Sequence, residues 1–229
     1  MPHFKISVDN QSGSSNNYLL FKEPPIIDNK DEKEVFSNVA ASSGDTPSPG
    51  TVHFTIDQDL FGVCGSSPDT PLGSGVSVLS VQTTTSPLKL GTIVDPSATL
   101  CFMTAIDGGN GPQGAEFESS AQSTQEVPGG FAIQTDSNFD TQNSSHLFAG
   151  IGATTNGSMV ALATFEAKPS TNYTIFPQET FYIGTGTFDQ GTIVDIKAVG
   201  ASPMINFKGG FTNARLVHNP NRTYTVKVS

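Results

Sequence analysis

Phe4-Lys5-Ile6-Ser7-Val8 alternates apolar and polar residues along its whole length and then breaks at Asp9-Asn10-Gln11-Ser12-Gly13. A period of two puts Phe4, Ile6 and Val8 on one face of a strand, and the Asx/Ser/Gly cluster ends it in a turn. The same grammar returns in Thr51 to Ile56, Met159 to Phe165 and Thr223 to Val228, each bounded by Gly, Pro, Asn or Ser. No stretch carries the apolar spacing of a long helix. The expected fold is all-β: an antiparallel β-sandwich, or a jelly-roll-like variant of one. Such folds host lectins, binding modules, structural proteins and enzymes alike, so function must be argued from particular residues.

Working outward, Asn17-Tyr-Leu-Leu-Phe-Lys-Glu-Pro-Pro25 is an apolar run stopped by prolines, which cannot donate to a ladder; it reads as a central strand leaving its sheet. The charge run from Asp28 to Glu34 reads as a solvated loop before a strand near Val35 to Ala41. Ser42 to Gly50 and Ser66 to Gly75 read as surface loops, and Ile106 to Gly130 as the most hydrophilic piece. The chain is therefore expected to be a single β-rich domain over residues 1–229, with any internal division near 106–130. Beyond that point strands are expected at Gly130 to Ile133, His146 to Phe148, Met159 to Phe165, Tyr173 to Phe176, Thr180 to Ile183, Thr192 to Ile196, Met204 to Phe207 and Tyr224 to Val228. The pentapeptide Gly91-Thr-Ile-Val-Asp95 recurs as Gly191-Thr-Ile-Val-Asp195, which raises the alternative of two related halves.

At 229 residues the chain is long enough to bury a core without staples, and with 14% charged residues its surface is polar but sparsely charged. Its net charge of −10 and the lack of a basic cluster in the sequence argue against a nucleic-acid partner. The first residues lack a charged segment followed by an apolar one, and no long apolar run occurs, so neither membrane insertion nor a secretory leader is indicated and a cytoplasmic location is expected. Cys64 and Cys101 lie in apolar strand-like contexts; reduced thiols and a single disulfide are both open.

Chemistry-bearing motifs are scarce. His3, His53, His146 and His218 are far apart in sequence, and the two cysteines have no second pair, so no metal or other cofactor is expected. Asp107, Asn110, Asp136, Asn138 and Asp140 offer hard oxygen ligands of the kind a calcium-dependent lectin would use, although Asx residues favour turns for reasons of their own. The glycines of 108–114 lack the Lys-Ser/Thr of a phosphate loop, and no Gly-x-Ser-x-Gly elbow occurs. With 16 Phe, 4 Tyr and no Trp, the aromatic content suits a thick core or a pocket for a hydrophobic ligand better than a sugar-stacking platform.

Asn17-Tyr-Leu-Leu-Phe-Lys-Glu-Pro-Pro25, Phe61-Gly-Val-Cys-Gly65, Gly91-Thr-Ile-Val-Asp95 and Tyr173-Thr-Ile-Phe-Pro-Gln-Glu-Thr-Phe-Tyr-Ile183 resemble phrases of fungal biosynthetic proteins, the cofactor-free hetero-Diels-Alderases of tropolonic sesquiterpenoid pathways. The resemblance implies a cyclase that joins a reactive quinone methide to a polyene, and it transfers no catalytic residue. A cycloaddition needs no metal, nucleotide or nucleophile. It can be accelerated by holding two apolar reactants in a reactive geometry and by hydrogen-bonding the oxygen where charge grows.

The leading reading is thus a protein that binds a hydrophobic small molecule and acts as a cofactor-free cyclase of secondary metabolism. Tyr18, His146 and Tyr182 are the candidate catalytic residues, since each has apolar neighbours and could donate a hydrogen bond or shuttle a proton. The alternatives are a carbohydrate-binding, calcium-dependent lectin-like module and a structural or interaction protein; a homo-oligomer is compatible with any of them.

Overall fold

The alternation that opens the chain is a strand, with Phe4, Ile6 and Val8 buried and Lys5 exposed. The computed structural model describes residues 2–28, 30–31, 34–67, 71–78, 83–107, 112–118, 123–140, 145–196, 199 and 202–229. Among these residues three sheets account for eighteen strands, numbered in chain order. In the first sheet β18 (Tyr224–Val228), β17 (Asn213–His218), β1 (His3–Asn10), β6 (Gly50–Ser66), β12 (Leu147–Thr155), β13 (Ser158–Glu166) and β4 (Val35–Ser37) lie side by side. β7 (Thr83–Pro87) joins the edge of β6 beyond the end of β1. The second sheet runs β10 (Ser123–Glu126), β8 (Ser97–Asp107), β11 (Phe131–Thr135), β14 (Asn172–Phe176) and β3 (Ile26–Ile27), with β9 (Pro112–Phe117) also on β8. The third runs β16 (Met204–Asn206), β15 (Thr180–Thr185), β2 (Asn16–Lys22) and β5 (Val39–Thr46).

The architecture is an all-β, sandwich-like fold whose sheets are rich in antiparallel pairs. Two pairs are parallel, β1 with β17 and β8 with β11. One core unites the inner faces: Phe4, Ile6 and Val8 of β1, Phe54 and Ile56 of β6 and Leu216 of β17 meet Leu20, Phe181 and Ile183 of the third sheet. Each such side chain contributes about 1.5–3 kcal/mol by leaving water. Gly150 and Gly152 let β12 lie tightly against its neighbours. A Cβ on Gly150 would meet the carbonyl of Ala163, and one on Gly152 would meet the Phe61 ring and the carbonyl of Val160.

Several segments differ from the sequence reading. Where a loop is expected after Ser42, β5 continues to Thr46, because its backbone pairs with β2 and the Ser42 hydroxyl donates to Asn17 Oδ1 at 2.9 Å. Thr192 to Ile196, expected as a strand, makes only isolated bridges among the described residues, Ser77 with Thr192 and Asn38 with Ile193. Asn213–His218, for which no strand is expected, is β17. The hydrophilic 106–130 stretch contains the edge strands β9 and β10, and every sheet takes strands from both sides of it. Lys30 is not solvated as its charge run suggests: its side chain is 2% exposed and its ammonium sits 5.3 Å from the Phe165 ring centroid.

The repeated pentapeptide has two fates. Ile93 and Val94 are each 95% exposed at a tight turn, whereas Ile193 and Val194 are 2% and 3% exposed. The same Ile-Val pair is buried in one place and exposed at a turn in the other, where Thr92 N donates to Asp95 O at 2.7 Å.

Candidate functional site

Strand parity sorts the candidate residues. Tyr18, Leu20 and Lys22 alternate onto the core face of β2, while Leu19 and Phe21 pack on the opposite face against Val39, Val194 and Val199. Tyr182 pairs with Phe21 across β15 and packs, half-buried, with that second group. The structure therefore places Tyr18 and Tyr182 on opposite faces of the third sheet. His146 lies just before β12 of the first sheet, with φ 41° and Nδ1 4.0 Å from Glu166 Oε1. Glu34, Lys30 and Lys168 form ion pairs in the same region, Lys30 Nζ to Glu34 Oε2 at 3.7 Å and Lys168 Nζ to Glu34 Oε1 at 3.9 Å. Tyr18, His146 and Tyr182 are thus not gathered at one point.

Tyr18 does find partners. Its hydroxyl and His218 Nδ1 share a hydrogen bond of 2.9 Å, and the His218 ring stacks on Tyr224, centroids 4.4 Å apart and planes 12° from parallel. The array is local in space because three strands converge: β2 brings Tyr18, β17 brings His218, and the register of β17 with β18 sets His218 opposite Tyr224. Burial, with the nearby Tyr224, pushes the Tyr18 phenol above its usual range, and burial pushes Tyr224 up to about 12. Burial also lowers His218 below its ordinary value. At neutral pH the array is therefore uncharged: two phenols that keep their protons and an imidazole that keeps one N–H.

Beside the array the core is incompletely covered. Tyr224, Val226 and Val228 face inward from β18, the edge strand of the first sheet, yet remain half-buried. β16, the edge strand of the third sheet, lies against them. Toward the far end of β2, Lys22 is 4% exposed and its ammonium lies 4.5 Å from the Phe181 ring centroid. Phe181 in turn packs against Phe4 and Phe207, with centroids at 5.6 and 5.8 Å. Burial lowers Lys22 to about 8, against the opposing pull of Glu179 and Glu23. The Thr155 hydroxyl, fully buried on β12, has no hydrogen-bond partner among the described residues.

His218, Tyr224 and Lys22 are not among the catalytic candidates that the sequence offers. Each interrupts an alternating apolar strand with a polar head, as in Leu216-Val217-His218 and Tyr224-Thr225-Val226. That pattern marks a strand position but does not say which residue 200 positions away will meet it.

The oxygen-rich loops hold turns. Asp136 Oδ1 accepts from Asn138 N in an Asx turn, and its Oδ2 accepts from Ala105 N and Asn138 Nδ2, so both oxygens are already engaged. Asp107 and Asp140 are each engaged in interactions of their own, and Asn110 lies outside the described residues. Among the described residues no group of three or more His, Cys, Asp or Glu side chains gathers around a point. Cys64 and Cys101 are both buried and no disulfide joins them, and burial raises the Cys101 thiol. No described helix is long and apolar enough to cross a membrane.

Neither a curated protein nor a solved structure matches the chain. The model of the RhiA family does, over residues 2–229. That match favours the cyclase reading over the lectin-like and structural alternatives. Covering the whole described fold, it shows that the chain belongs to the RhiA family, the tropolone sesquiterpenoid hetero-Diels-Alderases.

Proposed function

We propose that this chain is a cofactor-free cyclase that catalyses a hetero-Diels-Alder reaction between a quinone methide and an apolar polyene. The observation that carries the residue assignment is the Tyr18–His218–Tyr224 array beside the half-buried apolar strip of Val226 and Val228. The reaction forms one C–C and one C–O σ bond at the net expense of two π bonds and sheds nothing, so the protein has no group to transfer. Its task is to align two reactants and to favour the electron shift toward the carbonyl oxygen of the heterodiene.

The polyene packs against the apolar strip, where leaving water favours binding by about 25 cal/mol per Å². The quinone methide directs its carbonyl oxygen to the array. With the hydrogen of His218 on Nε2, the Tyr18 hydroxyl donates to Nδ1 and the Nε2–H donates to the oxygen, as does the Tyr224 hydroxyl. Both donors strengthen as negative charge grows on that oxygen, which is the condition for lowering a barrier rather than merely binding. Tyr18 is a positioning residue here, because its hydroxyl is spent on the imidazole. Tyr182 and His146 stand apart from this site and are assigned no part in the step.

The test is turnover of a cyclic sesquiterpene polyene with a quinone methide generated in place, in buffer containing EDTA. Acceleration and a single stereoisomer of the adduct support the reading. A rate and an isomer mixture equal to those of buffer alone contradict it.

A further inference from the structure

The outer face of β18, β17, β1 and β6 carries a concavity of about 580 Å³ that the cyclase reading does not use. Its centre follows from strand register. Ser7 lies opposite His53 on β6 and beside Arg215 on β17, and Arg215 lies opposite Lys227 on β18. These four residues form one cross-strand row, His53–Ser7–Arg215–Lys227. Lys5 stands two positions before Ser7 on the same face of β1. A short serine at the middle of the row leaves the depression, and long basic side chains rim it.

Two features set this arrangement apart. The chain has a net charge of −10 and 11 Lys and Arg residues, yet Lys5, Arg215 and Lys227 line this one depression together with His53. Arg215 and Lys227 are moreover directly opposed across the ladder, where like charges destabilise a sheet. Asp9 offsets part of this: its Oδ2 accepts from Arg215 Nε at 2.7 Å. That bond leaves the guanidinium's other N–H groups, the Lys227 ammonium and the Lys5 ammonium without a further carboxylate in the row. The oxygen of Ser229 at the rim is already held by the amides of Thr212 and Asn213.

We propose that this groove binds a small organic oxyanion, with Arg215 and Lys227 as the principal donors, the Ser7 floor beneath it and Lys5 and His53 at its sides. The ligand chemistry is an anionic oxygen group, a carboxylate or a phosphate ester, on a body small enough for the depression. The site is on the opposite face of β17 from His218, so it stands or falls independently of the cycloaddition.

Calorimetric titration with benzoate, phenyl phosphate and the neutral isostere benzamide, backed by backbone amide shifts, tests it. Benzoate or phenyl phosphate is expected to bind and to shift amides at 5–7, 53–55, 213–215 and 227, while benzamide does neither; the stronger of the two anions tells carboxylate from phosphate. Raising the salt weakens binding. Lys227→Gln weakens it about tenfold, the loss of one charge-assisted hydrogen bond. Lys227→Gln without ligand is at least as stable as the parent chain, since a like-charged pair is removed. Equal binding of benzamide, or anion binding that survives Lys5→Gln/Lys227→Gln, overturns the proposal. So does a Lys227→Gln chain that is less stable without ligand, because Lys227 would then be structural.

Discussion

Tyr18 and His218 are 200 residues apart in the chain and 2.9 Å apart at their hydroxyl and Nδ1 atoms. That single bond ties the third sheet to the first near the edge strand β18 and fixes the imidazole against which Tyr224 stacks. Tyr18→Phe keeps the ring and deletes the bond, leaving a buried nitrogen unsatisfied. It should lower unfolding free energy by about 1–3 kcal/mol in urea titrations. It should also reduce turnover in the folded protein while leaving substrate affinity nearly unchanged, since Phe preserves the apolar surface.

Lys22 predicts the pH dependence of stability. Its folded value of about 8 lies below the ordinary 10.5, so the native state binds fewer protons than the unfolded chain between those limits. Stability therefore rises with pH across about pH 8 to 10.5, and the full cost of burying the ammonium is felt below pH 8. The difference amounts to about 3 kcal/mol. Lys22→Met should stabilise the fold at pH 7, and the advantage should shrink toward pH 10; parallel stability curves for the two proteins would show that the ammonium carries no such cost.

Asp9 predicts the acid side. Burial raises its carboxyl, but the hydrogen bonds from Arg215 and Thr51 and the charges of Arg215 and His53 outweigh it and leave the group below its ordinary value. A depressed carboxyl contributes stability above its unfolded value that is lost as pH falls through the folded one. Asp9→Asn should flatten the acid limb of the stability curve below about pH 4.

Gly150 and Gly152 predict the tolerance of β12. A methyl group on Gly150 meets the backbone carbonyl of Ala163, which cannot move without breaking the β12–β13 ladder. Gly150→Ala should cost about 3 kcal/mol or more, whereas Gly157→Ala, with open space but φ of 83°, should cost about 1 kcal/mol. Thermal unfolding of the two variants checks the order.

How far the sequence reveals this molecule depends on the range of the interaction. β1 and β18 are legible because alternation is a local property, β2 and β13 because a short apolar run is one too, and Pro24-Pro25 does end β2. β9 and β10 are hidden because edge strands need no apolar face. The two Gly-Thr-Ile-Val-Asp copies show the limit most plainly, one exposed and one buried with no difference in their own five residues. The same limit governs the site. Tyr18 could be picked out as a polar head in an apolar strand, but its partners His218 and Tyr224 arrive through the parallel β1–β17 pairing, which no local pattern announces.

The most direct measurement is the single-turnover rate of adduct formation with the parent chain and with His218→Ala, both shown to be folded, against the rate in buffer. The parent should accelerate the reaction, and His218→Ala should lose about 10²–10³-fold of that acceleration, the usual loss for one donor aimed at a developing oxyanion. A folded His218→Ala protein that retains the full rate and the same stereoisomer would contradict the assignment of the Tyr18–His218–Tyr224 array.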